Sequence, residues 1–393
     1  MINKKISLIF CTPVNGGDLL LTEVLGEIIK NKFNTNNLSC ICYKLNEFNK
    51  ISSSKDLIFL SHLEENISSK NKIINKLQII FDSTWIKRKI INFINKKKLI
   101  EFKKLILETD LIIACPGGYL NHFYSLDQKF EILEFIIKND KKFIILAQSI
   151  SQLHFWNEND RERLLKILEK AEFITLREGY DAFKRNSRLK NIYSTSDLAF
   201  LYQSSIKKIH SSRVKKVCIN FRYWKDINQN REKIIDLLKL LDETLIEIHF
   251  LSTCQDICGY TDDWKFFENF IDLNALPFNI IYHKRAFETD VLIKQFASFD
   301  LIIGMRLHSC IMGILSGTPS INISYESKGK AIYQDINLEN YVVSLEDEYN
   351  VWEKVIKDCI LNYEKAFNDF RKARSRGYKL SKSNITLLEK YLA

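Results

Sequence analysis

Arg306, His308 and Lys328 are the residues of this chain whose types and spacing best suit chemistry. Arginine presents a planar fork of donors that takes a carboxylate or phosphate through two parallel bonds. Lysine adds a compact positive charge, and histidine exchanges a proton near neutral pH. Together they describe a site that binds an anion and moves a proton. Arg222 adds a further cation, directly behind the apolar run Val217–Phe221. A lone histidine near a helix start is more often a cap or a satisfied polar residue than a catalyst. His308 departs from that default because cations and small residues gather around it.

Such residues need elements to hold them. Leu301-Ile302-Ile303 reads as a buried parallel strand, and Gly304 breaks it. The small and apolar stretch Ser309–Ser316 predicts a helix packed closely on a sheet, ended by Gly317-Thr318-Pro319. Ser320–Ser324 is a second strand, with Tyr325–Lys328 just beyond it. Strand, helix, strand is a βαβ unit, and such units bind ligands at the carboxyl ends of their strands.

The same rhythm runs along the rest of the chain. Ile6–Cys11 predicts the first strand and Leu19–Phe33 the first helix, joined by a loop holding Asn15, Gly16, Gly17 and Asp18. The glycines permit close backbone approach, and the helix start offers N–H groups to an anion. The loop lacks a GxGxxG pattern, so a tight turn capped by Asp18 fits it equally well. Further strands are expected at Leu38–Tyr43, Leu57–Leu60, Leu111–Ala114, Ile144–Leu146, Phe173–Leu176 and Ile192–Ser194. Each of the last four runs into a polar or glycine-rich loop. Ser204–Lys216 reads as a linker. A second set follows: strands at Val217–Phe221, Ile246–Leu251 and Asn279–Tyr282, and helices at Arg231–Glu243, Trp264–Ile271 and Asp290–Ser298. The helical tail Tyr349–Leu392 is expected to cross back onto the first domain. Alternating strands and helices of this kind define an α/β chain.

With 393 residues and 46% hydrophobic content, two packed domains are expected, and 4 Pro and 12 Gly leave little room for disordered linkers. The formal net charge of +10 suits anionic ligands or membrane surfaces, while no nucleic-acid motif accompanies it. The 9 cysteines form no zinc pattern and read as buried thiols of a reducing cytoplasm. No run is long enough to span a membrane. Between Trp85 and Leu105, lysines alternate with large apolar residues. That pattern fits either a surface helix with a solvated charged face or a helix lying on an anionic membrane.

Taken together, the loops resemble those of the polysaccharide pyruvyl transferase family, in order from about Ile6 to Leu338. Asn15-Gly16-Gly17-Asp18 looks like its Asn-x-Gly-Asp loop, and Pro116-Gly117-Gly118-Tyr119 is similar to its glycine-triplet loop. Gln148-Ser149-Ile150 matches its Gln-Ser-Ile segment, Leu176-Arg177-Glu178 resembles its Arg-Asp segment, and Asp197-Leu198-Ala199-Phe200 its Asp-Pro-Ala-Phe segment. The most specific match is Gly304-Met305-Arg306-Leu307-His308, followed by Gly317-Thr318-Pro319 and Tyr325–Lys328. Tyr119, Ser151-Gln152, Glu178 and Leu198 depart from the family pattern.

The resemblance implies a GT-B-like architecture: two Rossmann-like domains facing across a cleft, with a C-terminal helical tail. Residues 1–205 form the acceptor side, 214–345 the donor side and 349–393 the tail. It implies transfer of the pyruvyl group of phosphoenolpyruvate to a sugar of a cell-surface glycan, or its lipid-linked precursor, as a cyclic ketal. No metal or organic cofactor is implied. His308 and Arg306 are the expected catalytic residues. Arg222 and Lys328, with Asn15, Gly16, Gly17, Asp18, Gly117, Gly118, Gln148 and His154, are the expected substrate contacts, and His122 joins His154 as an acceptor candidate. The expected location is the cytoplasm, with peripheral membrane contact through 85–105 as an option. Two other readings stand beside this one. One is a GT-B glycosyltransferase using a nucleotide sugar; the other is a non-catalytic, membrane-surface member of a glycan assembly complex.

Overall fold

The structure is a computed structural model. It describes residues 4–12, 15–33, 37–42, 58–61, 100, 102–122, 124, 126–203, 206, 208, 211–225, 227–254, 262–272 and 276–392. Most of the basic run 85–105 lies outside these residues. Its described end is helical over 102–108, with Phe102 and Ile106 buried in the core.

Among the described residues, thirteen strands form two sheets. The first contains β1 (Ile6–Cys11), β2 (Leu38–Cys42), β3 (Ile58–Ser61), β4 (Leu111–Ala114), β5 (Lys142–Gln148), β6 (Ile174–Leu176) and β7 (Ile192–Ser194), in the order β3-β2-β1-β4-β5-β6-β7. The second contains β8 (Lys216–Asn220), β9 (Glu247–Leu251), β10 (Ile280–His283), β11 (Leu301–Gly304), β12 (Ser320–Ser324) and β13 (Val342–Ser344), in the order β10-β9-β8-β11-β12-β13. The pairings are parallel throughout. β1, β4, β11 and β12 are buried along their whole length; β4 and β11 read as unbroken apolar runs, while β1 buries Ser7 and β12 alternates isoleucine with buried Ser320, Asn322 and Ser324.

Both sheets are doubly wound, and winding reverses between β1 and β4 and between β8 and β11. At such a switch point the neighbouring loops diverge and leave a crevice at the strands' carboxyl ends. The loops after β1 and β4, and those after β8 and β11, carry the residues singled out above.

One apolar core is continuous across both sheets, joining Leu19, Leu20 and Phe200 to Leu292, Ile311 and Ile314. The last helix, Tyr363–Leu392, then straps the two domains together. Its 30 residues span about 45 Å. Near its start, the Tyr363 hydroxyl donates to the Asp300 carbonyl at 2.9 Å. Farther along, Ser381 Oγ donates to the Asp197 carbonyl at 2.6 Å. Asn384 sits between Thr175 and Thr195. Gly377 permits this crossing, since a Cβ there would lie 2.7 Å from the Phe200 ring. The sequence reading lacked β13 and the helices Asp127–Lys138, Tyr180–Ser187 and Ser327–Asp335.

Candidate active site

On the second domain, two helices start on the rim with cations in or beside their first turn. Arg306 immediately precedes the Leu307–Ser316 helix, which holds His308, and Lys328 lies in the first turn of Ser327–Asp335. The helix dipole favours acidic residues at such positions, so cations there strengthen an already positive field. Arg306 is held edge-on by Asp263: Nε donates to both carboxylate oxygens at 3.0 and 2.8 Å, and Nη2 to Oδ1 at 2.5 Å. Asp263 is fixed in turn by the Thr253 and Cys254 amides at 3.1 and 3.0 Å. Burial opposes the Arg306 charge, but Asp263 offsets it and keeps the guanidinium charged. This pairing leaves Nη1 outside the fork.

Lys328 Nζ lies 2.8 Å from Glu326 Oε2 and over the Tyr325 ring. Burial opposes its charge, and Tyr325 and Glu326 outweigh burial and raise its pKa. Arg222 rests on the rings of Trp224 and Tyr325, and its Nη1 donates to Tyr325 Oη at 3.1 Å.

The first domain supplies a buried ion cluster. Arg177 Nη1 donates to Asp197 Oδ2 at 2.5 Å, and its Nε donates to Ser149 Oγ at 2.6 Å. Glu178 lies 3.4 Å from the same guanidinium. Burial works against the Asp197 charge, but Arg177 and His308 hold its carboxyl well below the usual range. For Glu178, burial prevails and raises the pKa.

The two rims meet at His308. Its Nε2 lies 3.4 Å from Asp197 Oδ2, an ion-pair distance rather than a short hydrogen bond. The ring covers Gly17, where a Cβ would fall 2.3 Å from the His308 Cβ. Gly16 is pinned likewise: its amide donates to the Thr253 carbonyl at 3.1 Å, and a Cβ would strike Arg285 and Leu292. The close approach these glycines permit is therefore to the opposite domain. Asn15, rather than Asp18, caps the helix, its Oδ1 accepting from the Gly17 amide at 3.0 Å. That leaves the half-buried Asp18 facing the cleft. Burial raises its pKa, against the combined pull of His308, Arg177, Lys328 and Arg306.

Of the other expected contacts, Gly118 lies against Ser149 and Arg177, and Gly117 pairs with Gln148 across adjacent strand ends. Gln148 is fully buried and its amide donates to the Cys115 carbonyl, so it supports the loop from beneath. His154 is exposed on the first domain's rim, beside Phe155. The expected site residues omitted Asp263 and Arg285, and Arg177 and Asp197 figured only as motif letters. Arg285 is buried near Asp263 and Glu23, and burial lowers its pKa to about 10. Among the described residues no cluster of three or more His, Cys, Asp or Glu could hold a metal ion. Nor is any helix long and apolar enough to cross a membrane.

Two doubly wound sheets, joined by a crossing tail and carrying charged loops at both switch points, define a GT-B fold. The chain superposes on the Anabaena protein HepE in complex with UDP and glucose, at 11% identity and a TM-score of 0.62, with 99% of each chain covered. It also superposes on S. aureus MnaA with UDP, at 10% identity and a TM-score of 0.62, covering 99% of this chain and 96% of that one. Arabidopsis thaliana UGT89C1 with UDP-L-rhamnose gives 11% identity and a TM-score of 0.55, with 99% of each chain covered. At these identities the likeness is one of fold. No curated protein matches the chain. The chain belongs to the polysaccharide pyruvyl transferase family, whose model matches residues 15–327.

Proposed function

We propose that this family member moves the pyruvyl group of phosphoenolpyruvate onto a sugar of a glycan or its lipid-linked precursor, forming a cyclic ketal and releasing phosphate. The observation that carries this reading is the meeting of the two rims at His308, whose Nε2 lies 3.4 Å from Asp197 and whose helix begins directly after Arg306, with Arg177 bound to the same Asp197. A small donor bearing a carboxylate and a phosphate needs several cations within one molecular length. Arg306, through Nη1, takes one anionic group, and Arg222 and Lys328 take the other.

Protonation at the enol methylene turns it into a methyl group and leaves the adjacent carbon electron-poor. One sugar hydroxyl adds there and gives up its proton. Phosphate departs with its bonding pair, the second hydroxyl adds, and its proton leaves as well. His308, oriented by Asp197, is the proposed acid–base group for these transfers. Asp18, whose burial favours the protonated form, is a second proton carrier. Gly117, Gly118 and His154 lie on the side assigned to the acceptor.

The test is phosphate release from phosphoenolpyruvate across a panel of acceptor glycans, alongside thermal shifts with phosphoenolpyruvate and with UDP-glucose. A shift with phosphoenolpyruvate alone is the expected result. The solved neighbours carry UDP, and a shift with UDP-glucose alone would replace this reading with glycosyl transfer.

A further inference from the structure

Phe155 leaves 57% of its surface exposed on the first domain, in the short turn Leu153–Phe155 that follows β5. Burying a phenylalanine side chain contributes about 1.5–3 kcal/mol, so a ring held outward on a rigid base forgoes that gain. The base is rigid here. Leu153 and Trp156 on either side are buried, and Trp156 Nε1 donates to the Ser151 carbonyl at 3.1 Å. Ser151 Oγ accepts from the His122 amide and donates to Asn121 Oδ1, both at 3.0 Å, which locks the two loops together. The His122 ring then stacks on Phe155, with centroids 5.3 Å apart and planes at 18°, and His154 touches it at 4.0 Å. This lip is built from the loops that follow β4 and β5, at the carboxyl end of the first sheet, the same edge that carries Gly118 and Ser149.

We propose that Phe155, framed by His122 and His154, is the platform on which a pyranose ring of the acceptor glycan stacks. A sugar has an apolar face of C–H groups and a polar edge of hydroxyls. An exposed aromatic ring matches the face, and the exposed His154 imidazole, which donates or accepts, matches the edge. The proposal rests on the transferase reading for its occupant, a glycan. It adds a specificity element away from the reacting atoms, which favours an acceptor of more than one sugar.

The experiment is calorimetric titration of wild type, Phe155→Ala and Phe155→Tyr with β-linked tetrasaccharides of galactose, glucose and N-acetylglucosamine, and a phosphoenolpyruvate thermal shift on each protein. The expected result is saturable binding of at least one tetrasaccharide, weakened about 3- to 10-fold in Phe155→Ala and kept in Phe155→Tyr, with the donor shift unchanged. Equal affinity in wild type and Phe155→Ala overturns the platform, as does a wild type that binds phosphoenolpyruvate but no tetrasaccharide. Phe155-dependent sedimentation with phosphatidylglycerol vesicles overturns it too, since the ring would then be a membrane anchor. Tetrasaccharide binding through Phe155 without a donor shift supports the platform and sinks the donor assignment, so the two readings fail separately.

Discussion

The two rims of the cleft rest on sheets that share the order of six strands, the first extended by β7, yet they carry opposite charge. On the first domain, Asp18, Glu178 and Asp197 surround a single arginine, Arg177. On the second, Arg222, Arg285, Arg306 and Lys328 face Asp263 and Glu326. The arginines are also used differently. Arg177 spends its donors inside its own domain, on Asp197 and Ser149, and reaches His308 only through Asp197. Arg306 is anchored along one edge, and Arg222 lies on aromatic rings, so both keep donors for a ligand. The difference teaches a division of labour: the basic rim suits an anionic donor, and the acidic rim suits proton movement and hydroxyls.

The largest expected effect tests the point where the rims touch. His308→Ala is predicted to fold normally and lose about 10²–10⁴-fold in turnover, measured as phosphate release with a confirmed acceptor. Near-wild-type turnover would reduce His308 to a packing residue beside Gly17. Next, Asp197→Ala leaves the Arg177 charge buried without its main counter-charge. A loss of about 3–5 kcal/mol in urea unfolding is expected, and a change below about 1 kcal/mol would mean that the acidic rim is not held together by this pair.

A smaller effect is expected from the basic rim. Arg222→Ala removes a surface-lying guanidinium and should weaken phosphoenolpyruvate binding by about 1.5–3 kcal/mol with little change in stability. If stability falls and donor affinity does not, Arg222 serves its aromatic neighbours only.

The smallest effect is a pH dependence at the domain junction. Burial pushes the Glu23 carboxyl up to about 7, with Asp290 adding to the rise and Thr289 and Arg285 opposing it. Its folded value lies above the unfolded one, so the folded protein holds an extra proton between about 4.5 and 7. Stability from this group is therefore full below that window and is lost as pH rises through it. Glu23→Gln should flatten that decline, by about 3 kcal/mol at most. Parallel wild-type and variant curves of unfolding free energy against pH would exclude it.

How much of this was readable in advance depended on the range of the interactions. β1, β4, β7 and β12 were expected with the bounds they have: β1 and β4 show as local, largely apolar runs, and β7 and β12 as short β-branched or aromatic segments set between polar loops. Arg306 and His308 were legible from their place behind β11. The Arg306–Asp263 fork was not, because its partners are 43 residues apart and no local pattern links them. Asp197 looked like a loop residue; its weight comes from Arg177 and from His308 in the other domain. Gly16 and Gly17 were read as making room for an anion. A glycine records that something comes close, and here it is His308 and Arg285. β13 spans only three residues, too few to show a period.

The crossing tail has a consequence in time. Ser381, which bonds the Asp197 carbonyl, is 184 residues downstream of it. At about 5–20 residues per second, a ribosome delivers that hydroxyl roughly 10–40 s after the loop it secures. During that interval the first domain lacks the Ser381 and Asn384 partners of its acidic rim. The backbone of Asp197, whose carboxyl meets His308, thus gains its Ser381 partner only after every described strand of both sheets has been made, whatever the order in which the two sheets form.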